Sequence, residues 1–159
     1  EMCIRDRYHV YTILNAAPAK EMDREVLKMV DCLIVNETEA SFYAGADMTD
    51  GDMVRAHADR LRQLTDGTVI VTLGSKGSML LGEEGAVPID PVKVERVTES
   101  TGAGDSYIGA FAYGKFKGMT DLQACCFAAR AASVTVTKIG AQEAMPCLSE
   151  MNESRLPDV

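Results

Sequence analysis

"STGAGDSYIGAF", residues 100–111, sets two glycines around one alanine, then a carboxylate, then a run of small and apolar residues. Gly102 and Gly104 open backbone conformations that side chains forbid. Successive N–H groups at the start of the helix that follows point at one spot and carry the positive end of its dipole. That arrangement makes a hole for an anion. Asp105 falls in the first turn, where its charge would repel the occupant of such a hole. The conflict disappears if a hydroxyl stands between them. Asp105 then takes the hydroxyl's proton while the hole stabilises charge on a transferring phosphoryl group. The plainer alternative is a glycine turn with an early acid that suits the helix dipole.

Outward from this stretch the chain alternates strand and helix signals. Residues 8–19 read as a β-branched and aromatic strand closed by Pro18, and 21–30 as a helix with Met22, Val26, Met29 and Val30 inward. "DCLIVN" (31–36) is a short continuous apolar run, the mark of a strand buried on both faces. A helix over 36–45 follows, with Thr38 as cap and Gly45 as stop. The spacing of Met53, Val54, Leu61 and Leu64 predicts one amphipathic helix over 49–67. Residues 68–81 read as strand, tight glycine turn, strand. Two helices, 103–117 and 121–138, complete the chain. Buried strands separated by helices imply an α/β fold, a mostly parallel Rossmann-like sheet with helices on both faces. Ligands of such sheets sit beyond the carboxyl ends of the strands. "NETE" (36–39), "TLGSKG" (72–77) and "TGAGD" (101–105) each follow a strand region.

Two of these motifs also carry double readings. In "NETEA", Asn36 and Glu39 are either a capped helix start or a place where Glu39 reaches Mg²⁺ through water, an ion that favours one or two carboxylates plus phosphate oxygens. In "TLGSKG", Thr72, Gly74, Ser75 and Gly77 are either a hairpin turn or contacts to phosphates. Neither a P-loop nor a G-x-G-x-x-G after a strand occurs, which sets a nicotinamide-dependent dehydrogenase aside.

Composition narrows the partners. The 159 residues carry a formal charge of −8 and 47% hydrophobic residues, with a pI near 4.7. An acidic chain is a poor match for nucleic acid or an anionic membrane, both of which reward Lys/Arg patches. No apolar run approaches the roughly 20 residues that span a bilayer. Five cysteines without a C-x-x-C spacing fit neither a zinc site nor a disulfide frame, and an odd count fits a reducing, cytoplasmic setting.

The order of N-x-x-E, T-L-G-S-x-G and T-G-A-G-D, then an Ala-rich helix ending "VTKIGAQEAMP" (136–146), resembles the ribokinase/PfkB family of carbohydrate kinases. "ILNAAPA" (13–19) is similar to the family's N-P-A-P strand end, with Ala16 at the usual first proline. "GAQ" followed by "AMP" looks more like the ribokinase branch than the fructokinase or nucleoside-kinase branches. The resemblance covers about residues 8–146. It implies ATP-dependent phosphorylation of a primary hydroxyl of a pentose, most simply D-ribose to ribose 5-phosphate. Asp105 would be the base, with Gly102, Ala103 and Gly104 as the anion hole. Asn36 and Glu39 would belong to the Mg²⁺–phosphate environment, and Thr72, Gly74, Ser75 and Gly77 would contact ATP. The family's K⁺ site matches Glu99, Thr101, Thr135, Lys138, Gly140 and Ala144, mostly through carbonyls. Glu99 and Ser100 replace the common Asp and Thr, Ala129 stands where a polar residue usually lies near the adenine, and Ala144 replaces a frequent Ser.

Residues 1–7, "EMCIRDR", resemble the translation of a transposon end used in DNA-library preparation and are expected to be a non-native scar. Residues 8–159 are then expected to be the C-terminal nucleotide-binding part of a ribokinase-like domain whose N-terminal half and lid are missing. On that expectation the chain by itself is incomplete and inactive, a non-catalytic nucleotide-binding fragment of a sugar or nucleoside kinase (fructokinase-like or adenosine-kinase-like), and the protein it derives from pairs as a homodimer through the lid.

Overall fold

The computed structural model describes residues 2–151, which divide into two compact units meeting in sequence after Pro88. The first unit is built on a five-stranded sheet in the order of the chain: β1 (Ile13–Asn15), β2 (Cys32–Asn36), β3 (Thr68–Thr72), β4 (Ser78–Gly82) and β5 (Gly85–Ile89). The first three strands are parallel, with Ile34 opposite Ile70 and Asn36 opposite Thr72. β4 turns back antiparallel to β3, the strand, tight turn and strand expected over 68–81, so the sheet is mixed.

Burial follows the two-residue period of the strands. Leu33, Val35, Val69, Val71, Met79 and Leu81 form one face and share a cluster with Ala40, Ala44, Met48, Val54 and Leu61. Cys32, Ile34, Ile70 and Leu80 on the alternate positions are buried too, which is why β2 reads as an unbroken apolar run. Each such side chain contributes roughly 1.5–3 kcal/mol relative to exposure.

The helices of this unit are α1 (Met2–Tyr8), α2 (Arg24–Lys28), α3 (Glu37–Ala44), α4 (Gly51–Ala56) and α5 (Ala58–Arg62). Three differ from expectation. α2 has five residues and turns Leu27 inward, leaving Val26 and Met29 more than a third exposed. α3 is capped by Asn36 and not by Thr38: the Asn36 side-chain oxygen Oδ1 accepts from the Glu39 N–H, and the helix stops at left-handed Gly45 as expected. The helix expected over 49–67 breaks at His57, whose backbone leaves the helical region (φ −115°, ψ 16°).

Residues 2–8 are not set apart from the fold as a scar would be. They form α1, and the Arg5 guanidinium reaches Asp31 at 3.0 Å. Asp31 is a junction of the sheet's amino-terminal edge. Its Oδ2 accepts from both the N–H (2.8 Å) and the hydroxyl (2.7 Å) of Thr12, ahead of β1. Its backbone carbonyl accepts from Thr68 N–H at 2.9 Å, the first residue of β3. Gly67 permits that approach, since a Cβ there would lie 2.2 Å from the same carbonyl oxygen.

The second unit runs from an irregular stretch over residues 90–100 into an antiparallel-type pairing of two long helices, α6 (Ala103–Phe116) and α7 (Asp121–Thr135), joined by a four-residue turn. Gly114 lets them close up, as a Cβ there would meet Ala124 Cβ at 3.0 Å. Buried Thr135 ties α7 to α6 through a 2.7 Å hydroxyl–hydroxyl bond to Ser106. Burial pushes the Cys125 thiol up to about 12, against the hydrogen bond from Tyr107, so it is an inert packing group.

Burial raises the Asp31 carboxyl, but the two Thr12 hydrogen bonds and Arg5 outweigh it and hold the group below its ordinary value. A depressed folded-state pKa means stabilisation that is complete above the unfolded pKa and fades as pH falls through the folded one. Asp31→Asn should therefore cost about 1.5–3 kcal/mol near neutral pH, and the difference from wild type should shrink as pH drops through the carboxylate range. Urea melts of both proteins at a series of pH values check this.

Candidate functional site

At the carboxyl ends of β2 and β3 the parallel register sets Asn36 beside Thr72. Asn36 and Glu39 close a capping box: Asn36 Oδ1 accepts from Glu39 N–H, and Glu39 Oε2 accepts from Asn36 N–H, both at 2.9 Å. The Glu39 carboxylate is thereby buried, with one oxygen committed to the cap. β3 then leads into a single 3₁₀ turn, Gly74–Lys76, closed by Gly77 at φ 88°. Leu73 N–H donates to Gly77 carbonyl at 2.8 Å, so the turn is tied at its base while Gly74 and Ser75 stand exposed above it. Glu37, which sequence reading passed over, has its Oε1 3.7 Å from where a Gly74 Cβ would be. Its signal was the first acid of "NETE".

In the second unit Gly102 is the N-cap of α6, at φ 78°, and offers no side-chain cap. A Cβ on it would stand 3.1 Å from the Ala141 carbonyl oxygen, so the dihedral favours glycine and the contact is tight for any side chain. Gly104 differs. It lies within the helix, and a Cβ there would meet nothing within 4 Å. Ala103 N–H donates back to Ser100 carbonyl at 3.2 Å and Ser106 N–H to Gly102 carbonyl at 2.9 Å. The N–H groups of Gly104 and Asp105 have no acceptor among the described residues, as the first turn of a helix without a cap dictates.

Asp105 is exposed and takes part in no ion pair among the described residues. It stands on the rim of a pocket of about 240 Å³ that runs along α6 past Gly109 and Tyr113 to Phe127 and Met151. An unpaired carboxylate beside two free amides and an open space can accept a proton from a hydroxyl brought there.

The loop before α6 is bound to the loop after α7. Thr98 N–H donates to Val136 carbonyl (2.7 Å) and the Thr98 hydroxyl to Thr137 carbonyl (3.0 Å). Glu99 Oε2 accepts from Gly140 N–H at 3.0 Å. That bond and a second from the Thr101 hydroxyl hold the Glu99 carboxyl below its usual range. Of the residues read as cation ligands, Glu99 meets Gly140, 41 positions on, and Thr101 beside it, while Thr135 and Ala144 are buried. The donors are oxygens with a single carboxylate, a set suited to a large hard cation and not to a transition metal. The Lys138 ammonium pairs instead with Glu150 at 2.6 Å. That ion pair, together with the Cys147 N–H, draws the Glu150 carboxyl down to about 2. Ala129 is half-buried on α7.

The chain matches the pfkB family carbohydrate kinase over residues 2–148. It is 35% identical over 151 residues to a ribokinase of Staphylococcus aureus (strain COL), covering 94% of this chain and 49% of that one. A deoxyribokinase of Salmonella typhi is 30% identical over 148 residues, covering 92% and 48%. The structure of Arabidopsis thaliana ribokinase complexed with ribose and ATP superposes with a TM-score of 0.87 at 29% identity, across 94% of this chain and 49% of that one. The chain spans about half the length of these curated relatives.

The family match starts inside the segment set aside as a scar and continues through nearly the whole chain. Residues 1–7 are therefore not a non-native head (Glu1 lies outside the described residues), and the fold is not a C-terminal remnant defined by a missing N-terminal half and lid. The physical reason is that the chain carries its own sheet, β1–β5, around its own buried cluster. No helix among the described residues is long and apolar enough to cross a membrane. The chain belongs to the pfkB family of carbohydrate kinases.

Proposed function

We propose that the protein transfers the γ-phosphoryl group of ATP to a primary hydroxyl of a pentose, with D-ribose giving ribose 5-phosphate as the first substrate to test. The observation that carries the reading is the uncapped first turn of α6, with Asp105 unpaired on the rim of an open space. Asp105 accepts the hydroxyl proton, and the amides around Gly102, Ala103 and Gly104 hold the charge that develops on the phosphoryl oxygens. Ala103 contributes by its place in the turn, since its own N–H is already used by Ser100.

Asn36, Thr72, Gly74, Ser75 and Gly77 are assigned to ATP, and Glu39 to Mg²⁺. With one oxygen in the capping box, Glu39 has the other left to hold a water of that ion, which keeps most of its hydration. Bound Mg²⁺ would supply charge neutralisation at the phosphates. Glu99 and Thr101, with the carbonyls of Thr135, Lys138, Gly140 and Ala144, are assigned to K⁺. Residues 8–159 then make the nucleotide-binding part of the protein, working in the cytoplasm. The ribokinase and deoxyribokinase relatives favour a five-carbon sugar and leave the 2-position open.

Asp105→Asn should lower kcat by about 10²–10⁴-fold while ATP still binds. ADP release with D-ribose, 2-deoxy-D-ribose, D-fructose and adenosine as acceptors, together with ATP titration calorimetry, measures both. A variant that keeps its turnover removes Asp105 from the role.

Gly104→Ala separates chemistry from packing. Alanine suits a helix interior better than glycine by up to about 1 kcal/mol, and its Cβ meets no neighbour, so the melting temperature should hold or rise. The same methyl projects over the free amides, so kcat/KM for ATP should fall. Gly102→Ala should lose both stability and turnover, because the new Cβ strikes Ala141 at a positive φ.

A further inference from the structure

The glycine turn after β3 offers amides to an anion, yet the charge set beside it is negative. Gly74 N–H and Ser75 N–H have no acceptor among the described residues. The turn's own cation is drawn elsewhere: Lys76 Nζ donates to the Thr49 carbonyl at 2.8 Å. From the first turn of α3 the half-buried Glu37 side chain comes in, its Oε1 3.7 Å from where a Gly74 Cβ would be. Glu37 uses its backbone carbonyl, which accepts from the Ser41 hydroxyl at 2.7 Å. Its carboxylate takes part in no ion pair among the described residues. The two acids of "NETE" therefore differ in kind. Glu39 turns back onto Asn36 N–H at 2.9 Å, whereas Glu37 is left unpaired against the turn.

We propose that Glu37 is a specificity-determining residue: its charge makes the Gly74 turn reject a bare polyphosphate and accept one whose charge a divalent cation has already reduced. This deepens, and rests on, the assignment of Gly74 and Ser75 to ATP. Free amides attract phosphate oxygens whatever else the ligand carries. A fixed carboxylate beside them opposes that attraction in proportion to the ligand's net charge. Mg²⁺ cancels two negative charges of the polyphosphate, so the penalty falls mainly on the metal-free nucleotide. With Lys76 held at Thr49, the turn's own cation does not offset it. Partial burial keeps the repulsion from being fully screened. Glu37 acts here as a charge and not as a ligand of the ion, a role separate from that assigned to Glu39.

The test measures ATP affinity by titration calorimetry on the purified protein, once with Mg²⁺ and once with EDTA, in tetramethylammonium chloride. Glu37→Gln removes the charge and keeps the shape. It should tighten metal-free ATP about tenfold while changing the Mg²⁺-bound form less than about threefold, so the preference between them narrows. The narrowing should fade as salt is raised, since a half-exposed charge is screened. Glu37→Asp keeps the charge and should keep the wild-type preference within about threefold. A preference unchanged in Glu37→Gln overturns the proposal, as does an equal change in both affinities, which is what a merely structural role would produce. Loss of the preference in Glu37→Asp, or weaker binding of the Mg²⁺ form in Glu37→Gln, counts against it too. Should Glu37→Gln not fold, Glu37→Ser gives the same comparison. A wild-type protein that binds neither form of ATP sinks the kinase reading, whereas ATP binding with an unaltered preference in Glu37→Gln sinks this proposal alone.

Discussion

Gly102 meets the backbone of Ala141 so closely that a Cβ would stand 3.1 Å from its carbonyl oxygen, and the start of α6 takes its shape from that approach. The contact sets two loops side by side, and the bonds around it follow from their neighbourhood. Thr98 and Glu99 reach the 136–140 backbone, Ser100 turns back on Ala103, and α6 starts without a side-chain cap. The close packing of α6 on α7 supports the same geometry from behind, where Thr135 and Ser106 share a buried hydroxyl bond. In the second unit the positive φ values among the described residues fall on glycines, for which they carry no steric penalty.

The first unit depends on a comparable device at the amino-terminal edge of its sheet. Asp31 joins the starts of three parallel strands, through Thr12 before β1, its own place before β2, and Thr68 at the head of β3. A strand register is an all-or-nothing property, because a slip of one residue exchanges the two faces. Fixing it at the amino-terminal edge therefore fixes which residues arrive together at the carboxyl edge. Asn36 and Thr72 are paired there as a consequence, and the Gly74 turn hangs from β3 in a defined place.

Much of this was legible in the sequence where the signal is local. The apolar run of β2, the Gly45 stop and the strand–turn–strand of 68–81 each rest on a few adjacent residues, and each is present. Failures occur where the deciding partner is distant or the pattern outlives the element. Val54 and Leu61 keep helical spacing across the break at His57, so periodicity alone joined α4 to α5. The count over 21–30 averaged residues outside the five-residue α2 and chose Val26 and Met29 over Leu27. Gly102 and Gly104 look alike in sequence, and only the arrival of Ala141 separates the one that must be glycine for the fold from the one that has space before it. Glu99 was singled out by resemblance as an expected cation ligand, whereas its bond to Gly140 spans 41 residues and leaves no local trace.

Three helices of eight residues or more begin in the described chain, and each has a polar residue at the third helical position. In α7, Thr120 and Gln123 close a capping box; in α3, Asn36 and Glu39 do the same. The third position of α6 is Asp105, and no box forms. Two differences account for this. Glycine at the cap has no side chain to receive the third residue's N–H, and aspartate is one methylene shorter than the residues that reach back in the other two helices. A cap residue with a hydroxyl or amide would satisfy an amide of the first turn, and a glutamate at 105 would be drawn toward the cap nitrogen, as Glu39 is. The same helix-start physics that consumes Glu39 in stability thus leaves Asp105 and the neighbouring amides unspent. The exposed, uncompensated state of that first turn follows from two residue choices, Gly at 102 and Asp at 105, in a chain that elsewhere closes its long helix starts.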